Sequence, residues 1–457
     1  MTMKLGSLFD GSGGFPLAGA LCGIEPVWAS EVEPYPIAVT RSRFPNMRHL
    51  GDISKVHGGE IEPVDIITFG SPCQDLSVAG KRAGLKHEAN GDEETTRSGL
   101  FMEAVRIIKE MREATNGEYP TFALWENVPG AFSSNGGEDF RVVCEELIKI
   151  VEPSAVMPAV PKAGWAYADS YVGDGWSLAY RVFDAQYWGV PQRRRRIHLV
   201  ADFRGERAGE ILFEREGVRG YFAQSGTSGK RTSSDAERST GADDRAGAKQ
   251  NFTDELILDD QGGQQITVRT DGISPTPRAE MHGNVPCVLH KEQYLFENHS
   301  QDTRYKGPIV CGVDCRNGTE YPELNGTLQA KSGGGTSLNY NQIVRIRRIV
   351  RRLTPTECAR LQGFADQWGH IEPKEAFTDE EYRFWLEVRN THAAINGKKV
   401  QEYTKPQMLT WYNKLHTDSA EYKMWGNGIA LPPALYVMQG IADALYPAPV
   451  RANLQEH

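Results

Sequence analysis

The stretch Val64–Gln74 reads VDIITFGSPCQ, and it decides the fold prediction. Its first six residues are apolar, β-branched or aromatic enough to predict a short buried strand, and a glycine and a proline then turn the chain directly before Cys73. In an open α/β sheet, ligands and reacting groups gather beyond the carboxyl ends of the strands. The pattern therefore predicts an α/β fold and makes Cys73 a candidate nucleophile, although a lone free cysteine is more often a small buried apolar residue.

Length and composition fit a soluble globular protein with more than one domain. The 457 residues exceed a typical single core, and 39% hydrophobic with 24% charged residues is ordinary. A net charge of −9 does not exclude nucleic acid, because a local basic patch can bind phosphates on an acidic protein. We find no run of 18 apolar residues and no signal peptide, so we expect neither a membrane span nor export.

The seven cysteines are odd in number and scattered, which argues against a secreted disulfide framework. We therefore expect a reducing, cytoplasmic setting. Cys311 and Cys315 have no further Cys or His at zinc spacing, and we expect no metal site.

Other predicted strands are also followed by polar or glycine-rich segments. Residues 4–9 predict a strand that runs into a glycine-rich turn and a helix, a geometry that lets the backbone approach a ligand. The spacing does not fit G-x-G-x-x-G, which weighs against a nicotinamide-dependent oxidoreductase. Glu31 and Asp52 follow strand-like runs, where carboxylates suit a ribose and an adenine amino group, although each alone is more often a solvated loop residue.

Further along, residues 122–125 predict a strand that delivers Glu126 into the next loop. Desolvation there would raise the pKa of this carboxyl group toward that of a proton donor. Arg193–Arg196 enter the strand-like run 197–200, so their side chains should alternate between two faces. Such a run is usually a solvated surface, yet beside a site it suits phosphate or carboxylate binding.

The carboxyl-terminal half changes character. Residues 262–345 predict short strands and turns, and a basic stripe ends at Arg352. Capping boxes at Thr354 and Thr378 predict helices, and a helix follows Pro432.

Taken in order, these segments resemble the DNA cytosine-5 methyltransferases of the bacterial and phage restriction–modification type. The resemblance covers about two thirds of the chain. It implies a Rossmann-like S-adenosylmethionine-dependent methyltransferase domain at 1–205, completed by 422–457. It also implies a smaller, mainly β target-recognition domain with a helical insertion at 206–421.

The resemblance also assigns residues to roles. The residues that it places at the cofactor S-adenosylmethionine are Phe9, Asp10, Gly11, Gly13, Gly14, Glu31, Asp52, Ile53, Pro72 and Asn427. The residues that it places at DNA are Gln74, Ser77, Arg97 and Arg352. The catalytic set that it implies is Cys73, Glu126, Arg194 and Arg196.

Two departures from the family pattern stand out. The usual Asp-Leu-Phe-Ala-Gly is Ser-Leu-Phe-Asp-Gly at residues 7–11, so Ser7 lacks the acid and Asp10 is a candidate to compensate. The usual Gly-Asn-Ser or Gly-Asn-Ala is Gly-Asn-Gly at 426–428.

The implied reaction is methylation of carbon 5 of a flipped-out cytosine in a specific duplex sequence, through a covalent bond to Cys73. Glu126 acts at ring nitrogen 3, and Arg194 holds the carbonyl oxygen or orients Glu126. An RNA cytosine-5 methyltransferase and a catalytically inactive DNA-binding homologue remain open. We expect a monomer that binds double-stranded DNA, with any cognate restriction endonuclease not visible in the sequence.

Overall fold

The computed structural model describes residues 2–71, 99–213 and 353–445 with their side chains, and the backbone of seven strands between 256 and 352. Pro72, Cys73, Gln74, Ser77 and Arg97 lie outside the described residues. The same holds for residues 446–457, which the sequence assigned to the catalytic domain.

The centre of the protein is an eight-stranded sheet with the order β3-β2-β1-β4-β5-β8-β7-β6. Neighbours from β3 to β5 are parallel, whereas β8, β7 and β6 join antiparallel. The strand bounds are β1 Lys4–Leu8, β2 Glu25–Ser30, β3 Arg48–His49, β4 Ile66–Phe69, β5 Phe122–Asn127, β6 Ala168–Gly173, β7 Trp176–Asp184 and β8 Arg195–Asp202. The strand order reverses between β1 and β4, the point at which open α/β sheets bind their ligands.

Helices cover both faces of this sheet, so its central strands are buried on both sides. Ile66, Phe122 and Leu124 point to one core, and Ile67 and Trp125 point to the other. The described helices are α1 Gly14–Leu21, α2 Pro34–Arg43, α3 Leu100–Ala114, α4 Glu138–Ile148, α5 Ala208–Leu212, α6 Pro355–Leu361, α7 Asp379–Ile395, α8 Lys405–Tyr412, α9 Asp418–Asn427 and α10 Leu431–Leu445.

The remaining strands form two smaller antiparallel sheets. Their orders are β10-β9-β11-β15 and β13-β12-β14. Their bounds are β9 Leu256–Asp259, β10 Thr267–Arg269, β11 Cys287–Lys291, β12 Val310–Asp314, β13 Thr319–Pro322, β14 Ile343–Ile346 and β15 Arg348–Arg352. The predicted fold class, a Rossmann-like methyltransferase domain with a smaller and mainly β part, is confirmed. Arg352 is the last residue of β15.

Local signals located the helix starts well. Thr354 and Glu357 form a capping box at α6, and Thr378 and Glu381 form another at α7, both as predicted. The strand at Glu126 was predicted too short, because β5 continues through Asn127 and keeps both polar residues in the buried strand.

The helical segment packs on the main sheet. Trp385 of α7 and Met408 of α8 share one hydrophobic core with Leu5 of β1. The Tyr35 hydroxyl of α2 donates to the carbonyl oxygen of Gly369 at 2.5 Å. The division at 206–421 stays a prediction, and this packing favours a catalytic body that includes residues 353–421. Within the described ranges, no helix has both the length and the apolar character needed to cross a membrane.

Candidate active site

The predicted site residues that the structure describes lie mainly at one edge of the sheet. β1, β4 and β5 are parallel, so their carboxyl ends meet there. β8 runs antiparallel to β5, which brings the start of β8 to the same edge. Asn127 at the end of β5 donates from Nδ2 to the carbonyl oxygen of Ser71 at 2.9 Å. This bond fixes the chain two residues before Cys73 against the strand that carries Glu126.

The glycine-rich loop after β1 is held in a conformation that is uncommon for most residues. Phe9 has φ 56°, an outlier for an aromatic residue, and Gly11 and Gly13 have φ 55° and 75°. Gly13 is the N-cap of α1. A Cβ atom on Gly11 would have the carbonyl oxygen of Phe9, 3.9 Å away, as its nearest described neighbour, so the loop leaves room at Gly11 for a close ligand.

The two residues that depart from the family's first motif are bonded to each other. The Ser7 hydroxyl donates to Oδ1 of Asp10 at 2.8 Å, and the Asp10 side chain is buried. Burial raises the pKa of Asp10 to about 8, and the Ser7 hydrogen bond opposes that rise. Oδ2 of Asp10 has no hydrogen-bond partner among the described residues. Asp10 therefore offers a buried carboxyl oxygen at the cofactor loop.

Glu31 lies at the end of β2 and ties that strand to the loop. Its Oε2 accepts from the Gly11 amide at 2.8 Å, and its Oε1 accepts from the amides of Val32 and Glu33 at 2.7 and 2.9 Å. Burial raises the pKa of Glu31, although these backbone bonds oppose the rise. The carboxylate is thus fixed in orientation beside Gly11, which fits the role of a ribose acceptor.

Asp52 and Ile53 lie beside the same strand end. The Ser30 hydroxyl of β2 donates to the carbonyl oxygen of Gly51 at 2.7 Å. Oδ1 of Asp52 accepts from the Ser54 amide at 3.0 Å and caps the short 3₁₀ turn Ile53–Lys55. Ile53 is buried, so its side chain packs in the core under this loop.

Glu126 forms an ion pair with Arg196. Arg196 Nε lies 3.1 Å from Glu126 Oε1, and both side chains are largely buried. Glu126 Oε2 lies over Gly70, where a Cβ atom would approach it to 3.4 Å. Gly70, which directly follows β4, therefore leaves space for the Glu126 carboxylate above the end of that strand.

Arg194 is buried just before β8 and contacts Gly428. Its side chain is 2% exposed, and Nη2 donates to the carbonyl oxygen of Gly428. Burial lowers the pKa of Arg194 to about 9, and the neighbouring charge of Arg196 contributes to the lowering. The arginine that forms the ion pair with Glu126 is Arg196. The predicted role of Arg194, holding the carbonyl oxygen of the base or orienting Glu126, stays a prediction. β8 begins one residue after Arg194, and only the later arginine reaches the carboxylate.

Sequence reasoning missed a buried polar cluster beside Arg194. Gly428 lies against Ser12 of the glycine loop and against Gln362, whose Nε2 donates to the carbonyl oxygen of Trp425. Ser12 Oγ and Gln362 Oε1 have no hydrogen-bond partner in the part of the chain that the structure describes. Gln362 is the C-cap of α6, but its contact with Gly428 depends on folding and has no local signal in the sequence.

The predicted cofactor residues are partly brought together. Glu31 accepts from the Gly11 amide, the Asp10 amide donates to the carbonyl oxygen of Ser30 at 3.2 Å, and Asp52 lies beside the end of the same strand. Asn427 is exposed at the end of α9, next to Gly428. The donors and acceptors at this edge fit S-adenosylmethionine, whose ribose and amino groups require carboxylate acceptors and whose close approach requires glycine.

Comparison with known proteins identifies related methyltransferases. The family model of C-5 cytosine-specific DNA methylase matches residues 3–151 and 169–383. The chain is 26% identical to a protein of Escherichia phage P1 named DNA N-6-adenine-methyltransferase, across 98% of the chain and 61% of that protein.

Two further relatives are shorter matches. The chain is 30% identical to Type II methyltransferase M.BsuFI of Bacillus subtilis, across 42% of the chain and 37% of that protein. It is 29% identical to Type II methyltransferase M.HhaI of Haemophilus parahaemolyticus, across 42% of the chain and 47% of that protein. The chain thus spans less than two thirds of each of these relatives. Because the family model covers most of the chain, the protein belongs to the C-5 cytosine-specific DNA methylase family.

Proposed function

We propose that this protein transfers a methyl group from S-adenosylmethionine to carbon 5 of cytosine in duplex DNA. The observation that carries the proposal is the ion pair of Glu126 and Arg196, which lies over Gly70 at the carboxyl edge of the sheet. That glycine directly follows β4, which pairs with β5, and Cys73 comes three residues later in the sequence.

The chemistry requires both groups. Carbon 5 of cytosine is a weak nucleophile, so the Cys73 thiolate first forms a bond to carbon 6. The ring electron pair then makes carbon 5 nucleophilic, and carbon 5 takes the methyl group from the sulfonium, whose bond to that methyl breaks so that its sulfur leaves as a neutral thioether. Loss of the proton from carbon 5 returns an electron pair to the ring and expels the Cys73 thiolate.

Glu126 supports the addition step. Attack by sulfur places electron density on the pyrimidine, and a proton or hydrogen bond from Glu126 at ring nitrogen 3 accommodates it. Arg196 fixes the Glu126 carboxyl group through its contact with Oε1. A positioned proton donor of this kind contributes roughly 10²–10⁴ in rate. Arg194, anchored on Gly428, supplies a second buried cation close to the same edge.

The cofactor would lie along the loop from Phe9 to Gly14. When bound, S-adenosylmethionine supplies an electrophilic methyl group on a sulfonium. Phe9 presents its ring to the adenine, Glu31 accepts from the ribose hydroxyls, and Asp52 accepts from the adenine amino group. Asp10 supplies the acid that Ser7 lacks, and Pro72 and Asn427 complete the edge.

The duplex must expose its base. Carbon 5 and carbon 6 are inaccessible inside stacked DNA, so the cytosine is flipped out at a cost of a few kcal/mol. Favourable contacts with the DNA offset this cost. We expect them from the mainly β segment within 206–421 and from Gln74, Ser77, Arg97 and Arg352.

Three other functions deserve a direct test. The name of the phage P1 relative makes methylation of adenine N6 one of them, although that relative is longer than this chain. The others are methylation of RNA cytosine and DNA binding without catalysis. The Glu126–Arg196 pair favours cytosine carbon 5, because transfer to an exocyclic amine requires no addition to the ring.

The test identifies the methylated base. The protein is incubated with tritiated S-adenosylmethionine and either unmethylated duplex DNA or transfer RNA, and the digested nucleosides are separated. We expect 5-methylcytosine from duplex DNA and none in a Cys73→Ala variant. Label in N6-methyladenine, label only in RNA, or methylation by Cys73→Ala would each contradict the proposal. Bisulfite sequencing of DNA from expressing cells then reports the target sequence.

A further inference from the structure

Glu33 links the strand end that carries Glu31 to the helices near the carboxyl terminus. It lies two residues after Glu31 and is the N-cap residue of α2. Its Oε1 lies 2.8 Å from Lys423 Nζ of α9, and its Oε2 lies 3.5 Å from His392 Nε2 of α7. Lys423 is 390 positions away in the chain, so this contact exists only in the folded protein.

The Glu33 carboxylate is held in one place as a charged group. Its side chain is 30% exposed and that of His392 is 26% exposed, so their contact is partly shielded from water. Burial opposes ionisation of Glu33, but the hydrogen bonds with His392 and Lys423 outweigh it and lower the pKa of Glu33 to about 2. Glu33 is therefore negatively charged at neutral pH, and both α7 and α9 contact it through cation-forming side chains.

The Glu31 carboxylate depends on the backbone of Glu33 for its orientation. Glu31 Oε1 accepts from the Glu33 amide at 2.9 Å. The Glu33 carbonyl oxygen accepts in turn from the Ile37 amide of α2 at 3.2 Å. Because the amide and the side chain of Glu33 share one Cα atom, the helices that hold the side chain also restrict the position of that amide. The orientation of Glu31 is thereby coupled to α7 and α9.

The helical segment also contacts the glycine-rich loop. Trp368 Nε1 donates to the carbonyl oxygen of Ser12 at 2.8 Å. On α9, Lys423 lies four residues before Asn427, so the two side chains project from the same face of the helix. Residues 353–427 therefore contact both the glycine-rich loop, through Ser12, and the loop after β2, through Glu33.

We propose that Glu33 is a positioning residue for the cofactor and that, held by Lys423 and His392, it orients Glu31 toward the ribose hydroxyls. The inference rests on the proposed function, in which Glu31 accepts from the ribose. Lys423 and His392 both lie beyond residue 383, where the match to the family model ends. The support of Glu31 thus extends outside the matched part of the chain, and it sets cofactor affinity without acting on the methyl group.

The experiment measures equilibrium binding of S-adenosylhomocysteine, the cofactor without its transferable methyl group, by isothermal titration calorimetry. Glu33→Gln and Lys423→Met should each weaken binding by about 3- to 30-fold, the range for side chains that alter a site without contacting its ligand. In methylation assays the KM for S-adenosylmethionine should rise in proportion. The kcat should stay within about twofold of wild type, because the ribose contact is the same in the ground state and the transition state.

A double-variant cycle tests whether the effect passes through Glu31. In a Glu31→Ala background, Lys423→Met should change the dissociation constant by less than about twofold, because the carboxylate that it helps to orient is absent. An analogue of S-adenosylhomocysteine without the two ribose hydroxyls makes the same comparison with Glu31 intact. Lys423→Met should leave the affinity for that analogue unchanged. Thermal unfolding of each variant verifies that it is folded.

Lys405→Met is the matched control. The side chains of Lys405 and Lys423 are each 46% exposed, and Lys405 pairs with Asp379 at the start of α7. Lys405→Met should leave the dissociation constant unchanged. Lys423→Arg keeps the charge next to Glu33 and should retain the wild-type affinity.

The proposal is overturned if Glu33→Gln and Lys423→Met bind S-adenosylhomocysteine as tightly as Lys405→Met does. It is also overturned if Lys423→Met has its full effect in the Glu31→Ala background, since Lys423 would then act independently of Glu31. A lower kcat with an unchanged dissociation constant would place Glu33 in the chemistry and overturn it as well. Wild-type protein that binds no S-adenosylhomocysteine would contradict the proposed function itself, so the two failures are distinguishable.

Discussion

Arg194 donates a hydrogen bond from Nη2 to the carbonyl oxygen of Gly428, although 234 positions separate them in the chain. Gly428 in turn lies against Ser12 of the glycine-rich loop. Gly428, the residue after α9, thus leaves no room for a Cβ atom beside Ser12 of the cofactor loop and contacts the arginine before β8 through its carbonyl group. The cofactor side and the target side of the proposed site are joined through the backbone of Gly428.

This junction explains why Gly428 departs from the family's usual serine or alanine. A Cβ atom there would lie 2.7 Å from Ser12 Oγ, 3.1 Å from the carbonyl oxygen of Met424 and 3.2 Å from Gln362 Oε1. We predict that Gly428→Ala lowers the free energy of unfolding by about 1–3 kcal/mol, the range for overpacking in a buried site. Urea denaturation measures the change.

A second substitution tests the cause. Ser12→Ala removes the nearest of the three atoms, so the double variant Ser12→Ala/Gly428→Ala should recover part of the lost stability. Strict additivity of the two single changes would show that the Ser12 hydroxyl is not the obstacle.

Glu126→Gln keeps the shape of the side chain and removes the charge that pairs with Arg196. We predict a loss of roughly 10²–10⁴ in the single-turnover rate of methylation, because the amide cannot transfer a proton to the ring. Rapid-quench measurement with labelled cofactor gives this rate. The matched control is Glu138→Gln, which alters a half-exposed ion pair with Arg141 on α4. Equal rates in the two variants would remove Glu126 from the mechanism.

Local signals in the sequence predicted what depends on local structure. The strand before Cys73 and the capping boxes at Thr354 and Thr378 each arise from a few neighbouring residues, and the described parts of all three are observed. The strand end at Glu126 was misplaced because a buried polar residue has the same local pattern as a loop residue. Burial distinguishes the two cases, and burial depends on the neighbouring strands.

The arginine contacts could not be read from the sequence for the same reason. Arg194 and Arg196 both belong to the catalytic set that the resemblance implies. Their contacts differ because β8 pairs with β5, which carries Glu126, and because Gly428 lies beside Arg194. The hydroxyl at Ser7 and the acid at Asp10, where the family has an acid and an alanine, were visible in the sequence. The hydrogen bond between them required the tight turn at Phe9.

Asp10 should make stability depend on pH. Burial raises its pKa to about 8 in the folded protein, from an ordinary value of 3.8. Between these values the unfolded chain has lost the proton and the folded protein retains it, so stability falls as pH rises, by at most about 1.4 kcal/mol per pH unit. Asp10→Asn removes this contribution. We predict that the variant gains stability relative to wild type from pH 5 to pH 8 in urea denaturation. Parallel curves for the two proteins would show that Asp10 is ionised in the fold.

The contact between Tyr35 and Gly369 tests whether residues 353–421 fold with the sheet. Tyr35→Phe leaves the buried carbonyl oxygen of Gly369 without its 2.5 Å donor, which costs about 1–3 kcal/mol. If the helices belong to the catalytic body, amide hydrogen exchange in α2 and α7 should speed up together in this variant. Tyr167→Phe, at a ring that is 64% exposed, is the control and should leave both helices unchanged. Faster exchange in α2 with unchanged exchange in α7 would show that these helices fold separately from the sheet, in agreement with the predicted domain at 206–421.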